Sequence, residues 1–443
     1  MPAAPRRILL ADADAFFVAV ARQVDPDGAG KAEHLVVGGR PGSRGVVCSA
    51  SYGARAFGVR SGMSIAQALR LCPQALAVPV PRKACSEASR AIRAVLERVA
   101  PVVVAASIDE FYCDLTGTEA LYRGETLADT ARRMRALVLA ETGLGVSIGG
   151  GTSRLIAKIA AGAAKPNAGA DGVFVVAPGD EEAFMRTQPL AEIPGVGPRA
   201  QAKLRTLGLV GVPDVLDADR ATLDRYLGRD FAAWLVRKAR GEDDSPVSPH
   251  ERQKSVSRED TFDRDIADDG ALAVELQRLV VRVVADLRGD GLRARTVTVK
   301  LRESDFSTRL ASRTLDEAVA TERPVFAAAR SLLARLRAQR RRPVRLLGVA
   351  LSSLDDGDVP EQLALLDAPA PDGVRETDRD RALAAALDRV RGRFGAAALR
   401  PASLLEPGAP TSVEDRAETD GAPPPGRTPR GAPVPPPPVR RPD

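Results

Sequence analysis

The chain has 443 residues, with 64 Lys/Arg against 58 Asp/Glu and only 2 His and 4 Cys. That length predicts about three domains with cores of their own. The scattered Cys48, Cys72, Cys85 and Cys113 exclude a disulfide scaffold and, with so few histidines, speak against zinc; no apolar run approaches the ~18 residues that cross a bilayer.

In chain order, residues 7–15 predict a strand and Phe16–Arg22 the start of a helix. Asp12 and Asp14 break the stretch Ile8–Val20, so it is no signal peptide, and the expected location is the reducing cytoplasm. A glycine-rich stretch, Gly38–Gly45, leads into a short strand, Val46–Ala50, and helical periodicity returns at Ile65–Leu71 and Cys85–Val99. Next come a hairpin (Val102–Ala106 with Phe111–Leu115), an amphipathic helix over Leu127–Thr142 and a strand at Val146–Gly149. A glycine turn then precedes a helix over Ser153–Ala164 that stops before Pro166.

After a strand at Val173–Val176 the pattern changes to short helices punctuated by Gly and Pro, as far as Gly241. Glu242–His250 is a polar, Pro-containing linker. Beyond it, strands Ser255–Phe262, Thr296–Arg302, Ser307–Leu315 and Val344–Leu351 and helices Asp269–Arg288 and Pro324–Arg340 predict a further α+β module. Between Glu251 and Leu354 there are 21 Lys/Arg against 15 Asp/Glu, so the net charge of +6 is concentrated there. A basic excess confined to one module predicts a phosphate-backbone footprint. Asp380–Phe394 reads as a helix, and the Pro/Gly/Arg-rich tail after Pro407 as disordered.

Two acidic clusters each close an apolar run: Asp12-Ala13-Asp14 after Ile8-Leu9-Leu10-Ala11, and Asp109-Glu110 after Val102–Ile108. Carboxylates at the ends of buried strands are costly unless a cation compensates them. Two such ends brought together make a hard-oxygen cage for Mg²⁺, as two-metal phosphoryl transfer requires. Alone, Asp-x-Asp after a strand is more often a turn or helix cap than a metal site, and Ser-Ile-Asp-Glu a solvated hairpin turn.

The surrounding text separates these readings. Asp12-Ala13-Asp14-Ala15-Phe16-Phe17, Ser49-Ala50-Ser51-Tyr52-Gly53-Ala54-Arg55, Phe57-Gly58-Val59-Arg60 and Ser107-Ile108-Asp109-Glu110 follow one another in an order and spacing that resembles the Y-family DNA polymerases, in their DinB branch. The resemblance runs from about Ile8 to Leu354. It implies an α+β multidomain right hand: palm (1–15 and 82–172), fingers (16–81), helical thumb (173–241), linker (242–250), α+β little finger (251–354) and a flexible tail (355–443) with a short helix. The activity it implies is error-prone, template-directed extension of primers past damaged template, using dNTPs and two Mg²⁺ ions.

By the same resemblance, Asp12, Asp109 and Glu110 hold the ions, with the Ala13 carbonyl as a further ligand. Asp12 and Asp109 bridge both ions, Glu110 serves the one beside the primer 3′-hydroxyl, and Asp14 is left as a cap or salt-bridge partner. Phe17 matches the steric gate that excludes a 2′-hydroxyl by volume, and Phe16 is the core residue of the pair. Tyr52, Arg55 and Lys165 match the residues that grip the incoming triphosphate. Cys48 and Ala50 are the small residues over the nascent base pair.

Gly195-Val196-Gly197-Pro198-Arg199-Ala200 satisfies the G-x-G-x-x-A fingerprint, but Pro189–Pro194 is no buried strand. The better reading is a helix-hairpin-helix in which Gly195 and Gly197 let the backbone approach a DNA phosphate at the N-terminus of helix Arg199–Leu207. Gly149–Arg154 lacks a P-loop lysine. Gln362, Leu363, Leu365 and Leu366 match the Q-L-x-L-[LF] peptide by which bacterial polymerases dock on the sliding clamp. The expected partners are primer–template DNA, dNTPs and the clamp, with no membrane, and the expected state is a monomer. A non-catalytic polymerase-like scaffold would have lost the acids; a nucleotidyl cyclase would need neither the helix-hairpin-helix nor the basic module.

Overall fold

The computed structural model describes residues 5–122, 124–166, 169, 171–248, 252–356, 375–395, 398, 399, 401 and 404. The chain divides near residue 250 into two compact units. The first begins with β1 (Ile8–Ala13), α1 (Phe16–Val24), β2 (Leu35–Gly38), β3 (Val47–Ala50), α2 (Tyr52–Ala56), α3 (Ile65–Leu71) and β4 (Leu76–Pro79). It continues with α4 (Arg82–Glu97), β5 (Val102–Ala105), β6 (Glu110–Asp114), α5 (Leu127–Thr142), β7 (Val146–Gly151), α6 (Arg154–Ala163) and β8 (Val173–Val175). Five strands form one sheet in the order β5-β6-β1-β7-β8, and three form a small sheet in the order β3-β2-β4.

β1 is the central strand of the larger sheet, and side-chain alternation divides it between two cores. Leu9, Ala11 and Ala13 pack with Phe16, Ile92 and Met134 of α1, α4 and α5. Ile8 and Leu10 meet Tyr112 of β6 and Ala157 and Ala161 of α6. Asp12 continues this second set by parity. So does Glu110 on β6, two residues before Tyr112, while Phe111 and Cys113 join the opposite core. The sheet thus directs both acids to the side that carries α6.

β7 reads Val-Ser-Ile-Gly-Gly-Gly and is a strand to its last residue, Gly151, where the sequence predicted the strand to end at Gly149 and a turn to follow. Gly149 and Gly151 lie against α6, while a Cβ at Gly150 would meet Leu9 and Val175 on the other face. A Cβ at Gly149 would stand 2.0 Å from the Ala161 nitrogen and 2.2 Å from the Ala157 oxygen, distances no side chain tolerates.

Ser153 caps α6, its Oγ accepting from the Ile156 amide at 3.2 Å. The Asp243 carboxylate accepts from the Leu155 amide at 3.1 Å, satisfying another free N–H at the helix start. Asp243 also pairs with Lys238 at 2.7 Å, and Val247 is buried beside Ile8 and Leu10. The described part of the expected linker, through residue 248, is therefore docked on the first unit.

Between α6 and that segment stand α7 (Glu181–Arg186), a 3₁₀ turn (Leu190–Glu192), α8 (Pro198–Thr206), α9 (Val212–Asp217), α10 (Arg220–Leu227) and α11 (Arg229–Ala239). They share a core of Leu204, Val212, Leu223 and Leu235 that also takes in Leu155 and Ile156.

The second unit comprises β9 (Ser255–Ile266), α12 (Asp269–Gly289), β10 (Arg293–Glu303), β11 (Thr308–Val319), α13 (Glu322–Gln339), β12 (Val344–Asp355) and α14 (Asp378–Phe394). Its sheet is antiparallel, in the order β11-β10-β12-β9. Along β10, Val297, Val299 and Leu301 are buried in the core with α12 and α13. Thr298, Lys300 and Arg302 alternate with them on the more open face, the pattern of a half-solvated antiparallel sheet. α14 is fastened to this unit: Arg323 holds Asp380 at 2.7 Å and Arg288 holds Asp388 at 2.7 and 2.9 Å. Among the described residues, no helix is long and apolar enough to cross a membrane.

Candidate active site

Both acidic clusters arrive at one edge of the five-stranded sheet. Asp12 and Glu110 are paired residues of β1 and β6. The Ala13 amide donates to the Asp109 carbonyl at 2.9 Å, fastening one strand end to the other. Ser107 organises the second cluster: its Oγ accepts from the amides of Asp109 (3.2 Å) and Glu110 (3.1 Å) and donates to the Asp109 carboxylate. Ala15 follows with φ 45° and ψ 46°, a left-handed conformation costly for a residue with a Cβ. It turns the chain from β1 into α1 directly beside Asp12 and Asp14.

Two lysines face these acids. Lys165 Nζ lies 2.7 Å from Asp12 Oδ1, 3.1 Å from Asp14 Oδ1 and 3.2 Å from the Asp12 carbonyl. Lys158, on α6, places Nζ 2.8 Å from both carboxylate oxygens of Glu110. Burial pushes the Asp12 carboxyl up from its ordinary value; Lys165 pulls it back, while Glu110 and Asp109 add to the rise. For Lys158 and Lys165 burial works toward a lower value, but their carboxylate partners prevail and both are raised. Asp14 pairs with Lys165, as its expected part of salt-bridge partner requires, and also accepts from Ser147 Oγ at 2.7 Å.

Among the described residues, no three His, Cys, Asp or Glu side chains are gathered closely enough to hold an ion as they stand. Each acid is instead turned to a lysine or to Ser107. The donors are nonetheless of the right kind. Three mutually repelling carboxylates and the carbonyls of two strand ends are hard oxygen ligands suited to a divalent hard cation.

The other expected site residues fall into three groups. Tyr52 opens α2, which Ser51 caps through the Ala54 amide at 3.3 Å. The Arg55 guanidinium lies over the Tyr52 ring, 5.2 Å from its centroid. Burial raises the Tyr52 hydroxyl, with the charge of Asp14 adding to the rise and that of Lys165 opposing it. Phe17 lies in the first turn of α1, half-buried, its ring edge-on to the buried Phe16 at 5.5 Å.

Gly195 and Gly197 belong to the helical part instead. Gly195 has φ +104°, and a Cβ there would stand 2.9 Å from the Trp234 ring; Gly197 is the N-cap of α8, with open space where a Cβ would be. α8 begins one residue before the predicted Arg199. Gln362, Leu363, Leu365 and Leu366 lie outside the described residues.

Sequence reasoning missed Lys158 and Ser107. The signal for Lys158 was its position seven residues before Lys165, about two helical turns along one face. For Ser107 it was a hydroxyl just ahead of the acidic pair, able to accept from the amides that follow.

Most of the chain is similar to known proteins. The impB/mucB/samB family matches residues 11–162, its C-terminal domain matches 253–365, and the IMS family HHH motif matches 178–209. A DNA polymerase IV of Dehalococcoides mccartyi (strain CBDB1) is 35% identical over 390 residues, covering 88% of this chain and 95% of the relative. One from Streptomyces coelicolor is 40% identical over 355 residues, covering 79% of this chain and 71% of the relative.

Among solved structures, the Y-family DNA polymerase chimera Dbh-Dpo4(243-245)-Dbh superposes with a TM-score of 0.69 at 26% identity, covering 78% of this chain and 98% of that one. The insertion ternary complex of Dbh DNA polymerase gives 0.54 at the same identity and coverage. The fold is that of a Y-family polymerase: palm, fingers, helical thumb and little finger. Within that class the chain belongs to the DNA polymerase IV branch of the impB/mucB/samB family. It is a DNA-directed DNA polymerase of the error-prone translesion type.

Proposed function

We propose that the chain extends a DNA primer with dNTPs by a two-ion reaction centred on Asp12, Asp109 and Glu110. The observation that carries this reading is the β1–β6 pairing, which sets Asp12 opposite Glu110 with Asp109 next to it. Those three carboxylates and the Ala13 carbonyl would hold two Mg²⁺ ions. When bound, the ions would lower the pKa of the primer 3′-hydroxyl and neutralise charge on the triphosphate.

The protein's own groups do the rest. Arg55 offers a planar fork and Lys165 a point charge to the triphosphate, and Tyr52 lies beneath the Arg55 guanidinium. Phe17 fills the space a 2′-hydroxyl would need. Gly195 and Gly197 bring α8 amides to a backbone phosphate of the DNA. The little finger, with its basic excess, holds the duplex through phosphates. Gln362, Leu363, Leu365 and Leu366 dock on the sliding clamp, and the chain works as a monomer in the cytoplasm. The presence of all three acids disfavours the scaffold alternative.

Primer extension on undamaged template, with and without Mg²⁺, tests the reading. Asp109→Asn keeps the shape but removes a charged ligand, so incorporation should fall at least a hundredfold, about the scale of losing one strong electrostatic contributor, with primer–template binding retained. Incorporation near the wild-type rate would overturn the assignment.

A further inference from the structure

Lys158 has no task in that reaction. Its ammonium sits 2.8 Å from each carboxylate oxygen of Glu110, centred where a cation held by that carboxylate has to be. α6 cannot easily withdraw it, because the helix rests on the glycine backbone of β7 with no room for a Cβ at Gly149. The side chain is only 38% exposed, so solvent screens the pair incompletely. Lys165 makes the corresponding contacts with Asp12 and Asp14, and the acidic edge therefore has a lysine at each half.

We infer that Lys158 is a positioning residue that serves as the built-in counter-ion of Glu110. It keeps that carboxylate aimed into the site, and it competes with the incoming divalent ion for the same two oxygens. This inference rests on the two-ion reading above. In the free enzyme the competition keeps ion binding weak. Once DNA and nucleotide add their own negative charge, the balance tips and Lys158 yields Glu110 to the ion. No bond is made or broken; one cation replaces another.

The sign of the effect separates this role from a structural one. Removing a positive charge a few ångströms from a divalent site should strengthen ion binding, whereas loss of a merely structural lysine would weaken it or leave it unchanged. The test is a titration of the full chain with Mn²⁺, free of DNA and nucleotide, read by the electron paramagnetic resonance of unbound Mn²⁺. Lys158→Met should bind Mn²⁺ roughly tenfold more tightly than wild type, a Coulomb effect discounted for partial exposure. Its ion-free melting temperature should fall and recover on adding Mn²⁺. Lys158→Arg, which keeps the charge, should behave like wild type. Lys158→Gln gives the same readout with a polar side chain if the methionine variant does not fold.

Asp109→Asn is the reference. If it abolishes Mn²⁺ binding while Lys158→Met and Lys158→Gln bind no more tightly than wild type, the counter-ion role falls and the two-ion site stands. If wild type, Lys158→Met and Lys158→Gln all bind no Mn²⁺ and Asp109→Asn changes nothing, the site reading falls and takes this inference with it.

Discussion

Phe16 and Phe17 show how adjacent residues of one type take different work. Phe16 is 2% exposed and sits in the core between β1 and the helices behind it. Phe17, one step round α1, is half-buried, with its ring edge-on to Phe16. A gate that works by volume has one clear signature: Phe17→Ala should raise incorporation of ribonucleotides relative to deoxyribonucleotides by at least tenfold, the scale of relieving a single steric clash. Competition between rNTP and dNTP in primer extension measures it. If selectivity is unchanged and the melting temperature falls instead, Phe17 is a second core residue.

Among the elements, the packing of β7 against α6 decides most about the site. α6 carries Lys158, and Lys165 follows just after its end, so any shift of the helix moves both cations relative to the acids. Gly149→Ala would force a methyl group into backbone atoms at 2.0–2.2 Å. Overpacking of this kind costs about 1–3 kcal/mol or more. The variant should melt several degrees lower and lose incorporation out of proportion to its stability, because Lys165 is displaced from Asp12 and from the triphosphate it is proposed to hold. Thermal melting beside primer extension tests this. Wild-type activity in a destabilised variant would mean that the helix position does not govern the site.

For the whole molecule, charge and length divide the labour. The segment from Glu251 to Leu354 carries the basic excess, so a chain ended near residue 250 should bind DNA more weakly and with a flatter salt dependence. The log–log slope should fall by roughly 0.9 for each DNA phosphate that is no longer neutralised; an unchanged slope would place the footprint in the first unit. Replacing Gln362, Leu363, Leu365 and Leu366 together with alanine should leave clamp-free extension unchanged and remove stimulation by the clamp. A short peptide can dock in a partner groove without touching the active site, and tethering then raises the local concentration of enzyme at the primer end. A destabilised variant with an intact clamp response would rule out docking.

Local text was enough for much of this protein. Most element types (β2 and β4 excepted), the two acidic clusters and the spacing of Asp12, Phe17, Tyr52, Arg55 and Asp109 were legible, because periodicity and motif order are properties of neighbouring residues. Register was not. Whether Asp12 meets Glu110, which face of the sheet both acids take and which lysine answers each acid depend on strands and helices far apart in sequence. The end of the β7 glycine run read as a turn because what packs on it, α6 on one face and Leu9 and Val175 on the other, cannot be seen from the run itself. The same holds for 242–248, polar in composition yet docked by Asp243 and Val247, and for α14, tied down by Arg288 and Arg323. Composition shows what a segment is able to touch. Only the folded chain, by bringing distant groups within about 3 Å, decides what it does touch.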